Sequence, residues 1–190
     1  MTNVKKNSSA VIRFIDILFS LVCLILLLPL YITVILVLFS ESKNPFFFQE
    51  RIGRFQKKFQ LVKFRTMRVG TKSISTHLSN IKNITYIGKF LRLNKIDEFP
   101  QMYNVLIGDM SLVGPRPCLA SQKKLIKERK VRGLFKYRPG ITGLAQVSGI
   151  NMSRPLLLAK TDLKMIKQMN LFYYFYYIFK TVLLIFRKRV

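Results

Sequence analysis

The chain has 190 residues, half of them hydrophobic, and carries 33 Lys and Arg against eight Asp and Glu, a formal net charge of +25. This length accommodates one domain of ordinary size with an appendage. The positive charge indicates a polyanionic partner, and the high apolar content favours a membrane surface over a nucleic acid. Cys23 and Cys118 have neither the spacing of a metal site nor that of a disulfide framework.

An uncharged apolar stretch of 23 residues, Ile17 to Phe39, follows the N-terminus. A helix of this length spans ~34 Å, enough to cross a bilayer. Pro29 near its middle, and bases on both sides, are arguments for a bent hairpin that enters and leaves the bilayer through one face. From the residues alone a kinked transmembrane helix is still favoured, since membrane helices tolerate proline. We therefore divide the chain into a membrane segment, 1–42, and a domain on the cytoplasmic face, 43–190.

A small β-hairpin is predicted at the start of the second part. Segments 46–50 and 59–65 are rich in aromatic and β-branched residues and flank a basic, glycine-containing loop. Alternation along the second strand places Lys63 on the same face as Arg65. The polar stretch 70–83 follows, and its lone His77 is interpreted as a solvated surface residue without a role.

Helical spacing predicts most of the remaining elements, and glycine and proline over 138–143 predict a turn. The final helix has seven Phe and Tyr among its first nine residues and is followed by a basic cluster, Arg187 to Arg189, so we expect it to lie at the membrane–water interface. The fold class is therefore α+β, mainly helical, with amphipathic interfacial helices. The predicted helices are 84–93, 121–133, 153–170 and 171–186.

The adjacent acidic residues Asp97 and Glu98 stand out in so basic a chain. Downstream, Arg116 lies between two prolines, which restrict the backbone and would aim its fork of donors. Carboxylates beside Arg and Lys indicate phosphate chemistry. The alternative, which is favoured for the pair taken alone, is a helix that begins at Asp97 with an acidic first turn. Asp16, at the start of the apolar stretch, is expected to pair with Arg13 in a structural role.

Several motifs, in this order and spacing, resemble those of the monotopic phosphoglycosyl transferases, bacterial enzymes that begin lipid-linked glycan assembly. The resemblance extends over nearly the whole chain, from Arg13 to the terminal aromatic helix. It implies a proline-broken re-entrant membrane helix and a catalytic domain on the cytoplasmic leaflet. The motifs are Gln49-Glu50-Arg51-Ile52-Gly53, Lys63-Phe64-Arg65-Thr66-Met67, Ile87-Gly88-Lys89-Phe90-Leu91-Arg92, Asp97-Glu98-Phe99-Pro100-Gln101, the run from Gly108 to Pro117, and Pro139-Gly140-Ile141-Thr142-Gly143.

The resemblance implies that sugar-1-phosphate passes from a UDP-sugar to polyprenyl (undecaprenyl) phosphate with release of UMP. Asp97 matches the family's nucleophile, which forms an aspartyl phospho-sugar intermediate that the lipid phosphate resolves. Glu98 is expected either to hold Mg²⁺ with Asp97 or to deprotonate the lipid phosphate. The residues expected to bind the substrate and its phosphates are Lys63, Arg92, Arg116 and, by a looser match, Asp162.

The same resemblance places the protein on the cytoplasmic face of the bacterial inner membrane, bound to anionic lipids, and leaves a homodimer open. Leu28, Ala145 and the absence of Arg from 149–151 depart from the usual pattern and leave the donor sugar undetermined. Two other readings remain. One is a non-catalytic basic protein that binds membrane surfaces. The other, a nucleic-acid protein with a membrane anchor, is disfavoured because the chain lacks RNA-binding signatures, so we expect no nucleic-acid partner.

Overall fold

The computed structural model of the protein describes residues 3–71 and 83–187, and His77 with most of the polar stretch lies outside them. The described chain is mainly helical with two small sheets, which confirms the mainly helical α+β part of the predicted fold class. All four helices predicted after residue 83 are confirmed, with ends that differ by one or two residues. The helices are α1 (Asn3–Leu26), α2 (Leu28–Ser42), α3 (Tyr86–Leu93), α4 (Gln101–Ile107), α5 (Lys123–Val131), α6 (Leu144–Val147), α7 (Pro155–Gln168) and α8 (Leu171–Arg187). The strands are β1 (Phe46–Ile52), β2 (Lys58–Phe64), β3 (Ser111–Val113) and β4 (Gly140–Thr142).

The apolar N-terminal stretch forms two consecutive helices. α1 ends at Leu26 and α2 begins at Leu28, with Pro29 in the first turn of α2, where a missing N–H leaves no helical hydrogen bond unmade. Within the described chain, residues 9–26 form the one helix that is long and apolar enough to cross a membrane, by length and composition. Residues 28–41 form a shorter apolar helix.

Polar side chains attach α1 to the rest of the protein. The buried Asp16 Oδ1 accepts hydrogen bonds from Ser111 Oγ (3.1 Å), from the Leu112 N–H (2.9 Å) and from the Tyr174 hydroxyl. Arg13 donates to two carbonyls in the last turn of α4, at 2.6 and 2.8 Å. The expected ion pair between Arg13 and Asp16 is therefore wrong, because each side chain binds a different element.

The second apolar helix packs on the same domain. Tyr31, Val34 and Leu38 of α2 are buried against Phe64 of β2 and Leu91 of α3. Burial of these side chains joins α2, the hairpin and α3 into one apolar cluster. Both helices of the N-terminal stretch are thus fixed to the domain that carries the acidic pair.

The predicted hairpin is confirmed as an antiparallel pair, β1 with β2, whose register runs from Phe46↔Phe64 to Ile52↔Lys58. The Asn104 side chain of α4 extends this sheet: its Oδ1 accepts from the Val62 N–H at 3.0 Å and its Nδ2 donates to the Gln60 carbonyl at 2.8 Å. These bonds satisfy backbone groups on the free edge of β2. They also fix α4, and the acidic turn before it, against the hairpin.

A second, parallel sheet joins β3 to β4, with Ser111 opposite Gly140 and Val113 opposite Thr142. The prediction of only a turn over 138–143 is wrong, because three-residue strands are too short to show an alternating pattern. Gly140 permits the close approach: a Cβ there would lie 1.9 Å from the Gly114 nitrogen. This pairing delivers the loop after β3 to the site described next.

Candidate active site

The acidic pair lies in a single 3₁₀ turn, Ile96–Glu98, between α3 and α4. Lys95 enters the turn with a left-handed backbone, φ 59°. Pro100 precedes the first residue of α4, and no side chain caps that helix. Asp97 therefore caps neither this turn nor α4, so the N-cap interpretation of Asp97 is wrong, although both acids do lie in the first turn of a short 3₁₀ helix.

Asp97 is 8% exposed, and its Oδ1 is buried without a hydrogen-bond partner among the described residues. Burial and the neighbouring Glu98 charge raise the pKa of Asp97 above its ordinary value, although Lys63, Lys95 and Arg92 oppose the rise. An unpartnered buried carboxylate oxygen is costly unless a substrate or ion completes it. Asp97 is thus the member of the pair whose carboxylate keeps an oxygen without a partner among the described residues.

Glu98 is held by cations from two other parts of the chain. Its Oε1 lies 2.8 Å from Lys63 Nζ on β2 and 3.4 Å from Arg116 Nη2 on the loop after β3. Burial alone would raise the pKa of Glu98, but the charges of Lys63, Arg116 and Lys95 outweigh it, so that this pKa lies below its ordinary value. Glu98 is therefore an anion that orients two bases toward the cleft.

Arg92 reaches the site from α3. Its Nε donates to Thr66 Oγ1 at 2.8 Å, and its charge opposes the rise in the pKa of Asp97. α3 lies directly on the segment after β2, where a Cβ on Gly88 would lie 2.2 Å from the Thr66 carbonyl oxygen. Arg92 is thus fixed by Thr66, on a helix that has no room for a residue larger than Gly88 at this contact.

A narrow cleft runs beside the two bases that pair with Glu98. Its lining includes neither carboxylate of the acidic pair, nor Arg92 or Asp162. The Asp162 side chain is fully buried, and its Oδ2 accepts from Arg129 Nη2 at 2.7 Å and from Nε at 3.1 Å. The structure thus brings Lys63 and Arg116 onto Glu98, and places Asp162 in a separate ion pair. The cleft is lined by Arg51, Leu61, Lys63, Gln101, Arg116, Pro117, Gly140 and Ile141.

Sequence reasoning missed three polar residues at the site. Arg51 is 6% exposed and lines the cleft, and burial together with the charge of Arg116 lowers its pKa to about 10. Gln101 is buried in the same wall. Lys95 acts on both carboxylates by its charge. Arg51 and Gln101 lie within quoted motifs, so their position in those motifs was the available signal.

The two carboxylates suit a magnesium ion. The described residues contain no cluster of three or more His, Cys, Asp or Glu side chains that could hold a metal ion by themselves. Mg²⁺ needs fewer, since it prefers oxygen ligands and is commonly bound by one or two carboxylates together with substrate phosphates. The unpartnered Asp97 Oδ1 beside Glu98 is such a donor set.

Comparison with known proteins assigns the family. The bacterial sugar transferase family matches residues 7–188, and the chain belongs to it. It is 36% identical over 167 residues to a UDP-galactose-lipid carrier transferase of Erwinia amylovora, which covers 78% of this chain and 35% of that protein. It is 40% identical over 145 residues to a UDP-glucose:undecaprenyl-phosphate glucose-1-phosphate transferase of Klebsiella pneumoniae, covering 72% of this chain and 30% of the relative.

The chain spans about a third of the length of these two relatives. A third relative is nearer in size: the exopolysaccharide production protein ExoY of Rhizobium meliloti is 32% identical over 188 residues, covering 90% of this chain and 83% of that protein. The family match runs from within α1 to just past the end of α8, so it includes the acidic turn and the bases around it.

Proposed function

We propose that the protein transfers sugar-1-phosphate from a UDP-sugar to undecaprenyl phosphate, releases UMP, and so begins the assembly of a bacterial surface polysaccharide. The observation that carries the proposal is the contrast within the acidic turn: Asp97 has a buried, unpartnered oxygen, whereas Glu98 binds two bases. Carboxylates are effective covalent nucleophiles toward phosphorus. The names of the Erwinia and Klebsiella relatives support the same class of reaction.

The reaction proceeds in two displacements. An Asp97 carboxylate oxygen attacks the phosphorus that bears the sugar, the bond from that phosphorus to the UMP oxygen breaks, and UMP leaves with the electron pair. A phosphate oxygen of the lipid then attacks the same phosphorus and releases Asp97 as a carboxylate. Two mutually repelling anions thus use one site in turn rather than together.

The bases around the cleft have distinct tasks in this scheme. Lys63 and Arg116 share Glu98 and can turn to phosphate oxygens when a substrate enters, since a charge-assisted bond to phosphate replaces the one to the carboxylate. Arg92 adds charge beside Asp97. Asp97 and Glu98 would hold Mg²⁺, which would neutralise diphosphate charge and stabilise the leaving UMP.

We also infer a re-entrant membrane segment on the cytoplasmic face of the inner membrane. Supporting this, α1 is attached through Asp16 and α2 through Tyr31 and Leu38 to the same domain, whereas Ile25, Leu26 and Leu28 between these contacts are exposed. An exposed apolar connection between two helices that are both attached to the domain suits a segment that enters the bilayer and turns back near Pro29. The division into 1–42 and 43–190 follows from this topology.

Membranes that contain the protein should release UMP from one member of a panel of UDP-sugars, and product formation should require added undecaprenyl phosphate. The donor that is consumed identifies the sugar. A basic protein that only binds membrane surfaces would bind the vesicles and release UMP from no donor, which would contradict the proposal. Each assay needs a parallel preparation of membranes that lack the protein, because host transferases also release UMP.

A further inference from the structure

The loop that carries Arg116 is unusual in how completely its backbone is bound. All of its residues from Gly114 to Cys118 are buried except Arg116. Carbonyl groups in a buried loop need hydrogen-bond donors, and the two prolines supply none. Each of the five consecutive carbonyls accepts a hydrogen bond. The donors, in chain order of the carbonyls, are Gln146 Nε2 (3.1 Å), the Gly140 N–H (3.0 Å), Arg129 Nη1 (2.7 Å), Arg51 Nη1 (3.0 Å) and the Ile52 N–H (2.9 Å).

Two of these donors are guanidinium groups, and they bind adjacent carbonyls. Arg129 of α5 binds the carbonyl of Arg116 itself, and Arg51 of β1 binds that of Pro117. Both guanidinium groups are buried, at 3% and 6% exposure of the residue. The loop is therefore hydrogen-bonded to α5 through Arg129 and to the hairpin through Arg51.

Each guanidinium is in turn held at its far side. Arg129 donates through Nε and Nη2 to Asp162, a carboxylate that neutralises it. Arg51 donates through Nε to the neutral Gln49 Oε1 at 3.0 Å, and the described residues place no carboxylate within ion-pair distance of it. The planar fork of arginine suits this use, because one group can bind an orienting acceptor and the loop at once.

The Arg116 side chain is held less tightly than its backbone. It is about one-third exposed, and its one contact with Glu98 is long, at 3.4 Å. A weakly held side chain on a fixed backbone can exchange Glu98 for a substrate phosphate without movement of the loop. Such preorganisation raises the rate because the cost of ordering is met before the substrate arrives.

We propose that Arg129, oriented by Asp162, and Arg51 are positioning residues that fix the backbone of Arg116 for phosphate binding. This inference rests on the proposed function for its kinetic consequence. Asp162 then acts behind Arg116, through Arg129, rather than by touching the substrate.

The Arg129→Lys variant tests the proposal most selectively. Lysine keeps the charge beside Asp162 but cannot reach that carboxylate and the Arg116 carbonyl with separate donors. We expect kcat for UMP release to fall about 10- to 100-fold, the loss typical of a displaced catalytic group. In an Arg116→Ala background, the same change should lower kcat less than about twofold, because the residue through which it acts is gone. Equal losses in both backgrounds, or no loss in either, would overturn the proposal.

Two controls separate this outcome from general damage. Arg132→Lys alters the arginine at the end of α5, whose ion pair among the described residues is with Glu128, and it should leave kcat within about twofold. Hydrogen exchange of residues 112–120 should accelerate in the Arg129→Lys protein and stay unchanged in the Arg132→Lys protein. If the exchange rates of residues 112–120 were unchanged in both variants, the proposed fixing of the Arg116 backbone by Arg129 would be overturned, even if the protein had no transferase activity. If Arg129→Lys fails to fold, Arg51→Lys takes its place in the same measurements.

Discussion

Asp97 and Glu98 are adjacent in the chain, but their carboxylates have different surroundings. Glu98 is paired with two bases, whereas Asp97 has a buried oxygen without a partner. Within the 3₁₀ turn, Glu98 contacts β2 and the Arg116 loop through Lys63 and Arg116. Environment, rather than residue type, therefore distinguishes the two acids, and it is the basis on which we propose nucleophilic attack for Asp97 and the orientation of bases for Glu98.

Replacing Asp97 by asparagine should lower UMP release by about three orders of magnitude or more, because an amide cannot serve as the attacking oxygen. Membrane association should be unchanged. Glu50→Gln is the matched control, since Glu50 is an exposed acid whose ion pair with Lys58 lies on the outer part of the hairpin. Turnover by the Asp97→Asn protein within about tenfold of the wild-type rate would remove Asp97 from the mechanism.

Lys95 offers a test in which stability and activity change in opposite directions. Its left-handed backbone suits glycine, so Lys95→Gly should stabilise the fold by about 1 kcal/mol. The same variant should lower UMP release, because a charge that acts on both carboxylates is lost. Thermal unfolding and initial rates measure the two effects.

Lys43 provides the comparison for that experiment. It also has a left-handed backbone, φ 55°, but it ends α2 away from the acidic turn. Lys43→Gly should therefore raise stability by a similar amount without a loss of activity. Equal activity losses at Lys43 and Lys95 would show that the left-handed backbone, rather than the charge of Lys95, matters for turnover.

The sequence predicts some site residues better than others. Asp97 and Glu98 stand out because acids are rare in this chain, and Arg116 stands out between two prolines. Arg51 does not stand out, because it is one of 33 Lys and Arg residues. Its hydrogen bond to the Pro117 carbonyl joins residues that are 66 positions apart in the chain. Long-range contacts of this kind leave no local pattern.

At the scale of elements, the parallel pair of β3 and β4 holds the Arg116 loop in place. Gly140→Ala should destabilise the protein by about 3 kcal/mol, because the new Cβ would lie 1.9 Å from a backbone nitrogen. Gly149→Ala is the control: its φ of +69° makes alanine strained, but no atom lies within 4 Å of the new Cβ, so a loss of about 1 kcal/mol is expected. Equal shifts of the melting temperature would show that crowding at Gly140 is relieved by a small movement.

Helices were easier to predict than these strands. α7 and α8 extend over several turns, so apolar spacing identifies them from the residues alone. β3 and β4 have three residues each and pair in parallel across 29 positions between Ser111 and Gly140. Their pairing depends on the close approach of Gly114 and Gly140. In the sequence alone, glycines at such positions predict only a turn.

For the whole molecule, the re-entrant topology makes a prediction about accessibility. Single cysteines at Ser9 and Glu41, both exposed positions, flank the apolar stretch. In a background that lacks Cys23, both should react with an impermeant thiol reagent in inverted membrane vesicles and neither in intact spheroplasts; the buried Cys118 should contribute little. Labelling of the two sites from opposite faces would establish a transmembrane span instead.

Detection of the covalent intermediate tests the central mechanism most directly. The purified protein would be mixed with a donor that carries a label in the phosphate next to the sugar, without acceptor, quenched and digested for mass spectrometry. We predict labelled phospho-sugar on the peptide that contains Asp97, its loss when undecaprenyl phosphate is added, and its absence from the Asp97→Asn protein. A protein that turns over only when donor and acceptor are both present, and never retains label, would contradict the account.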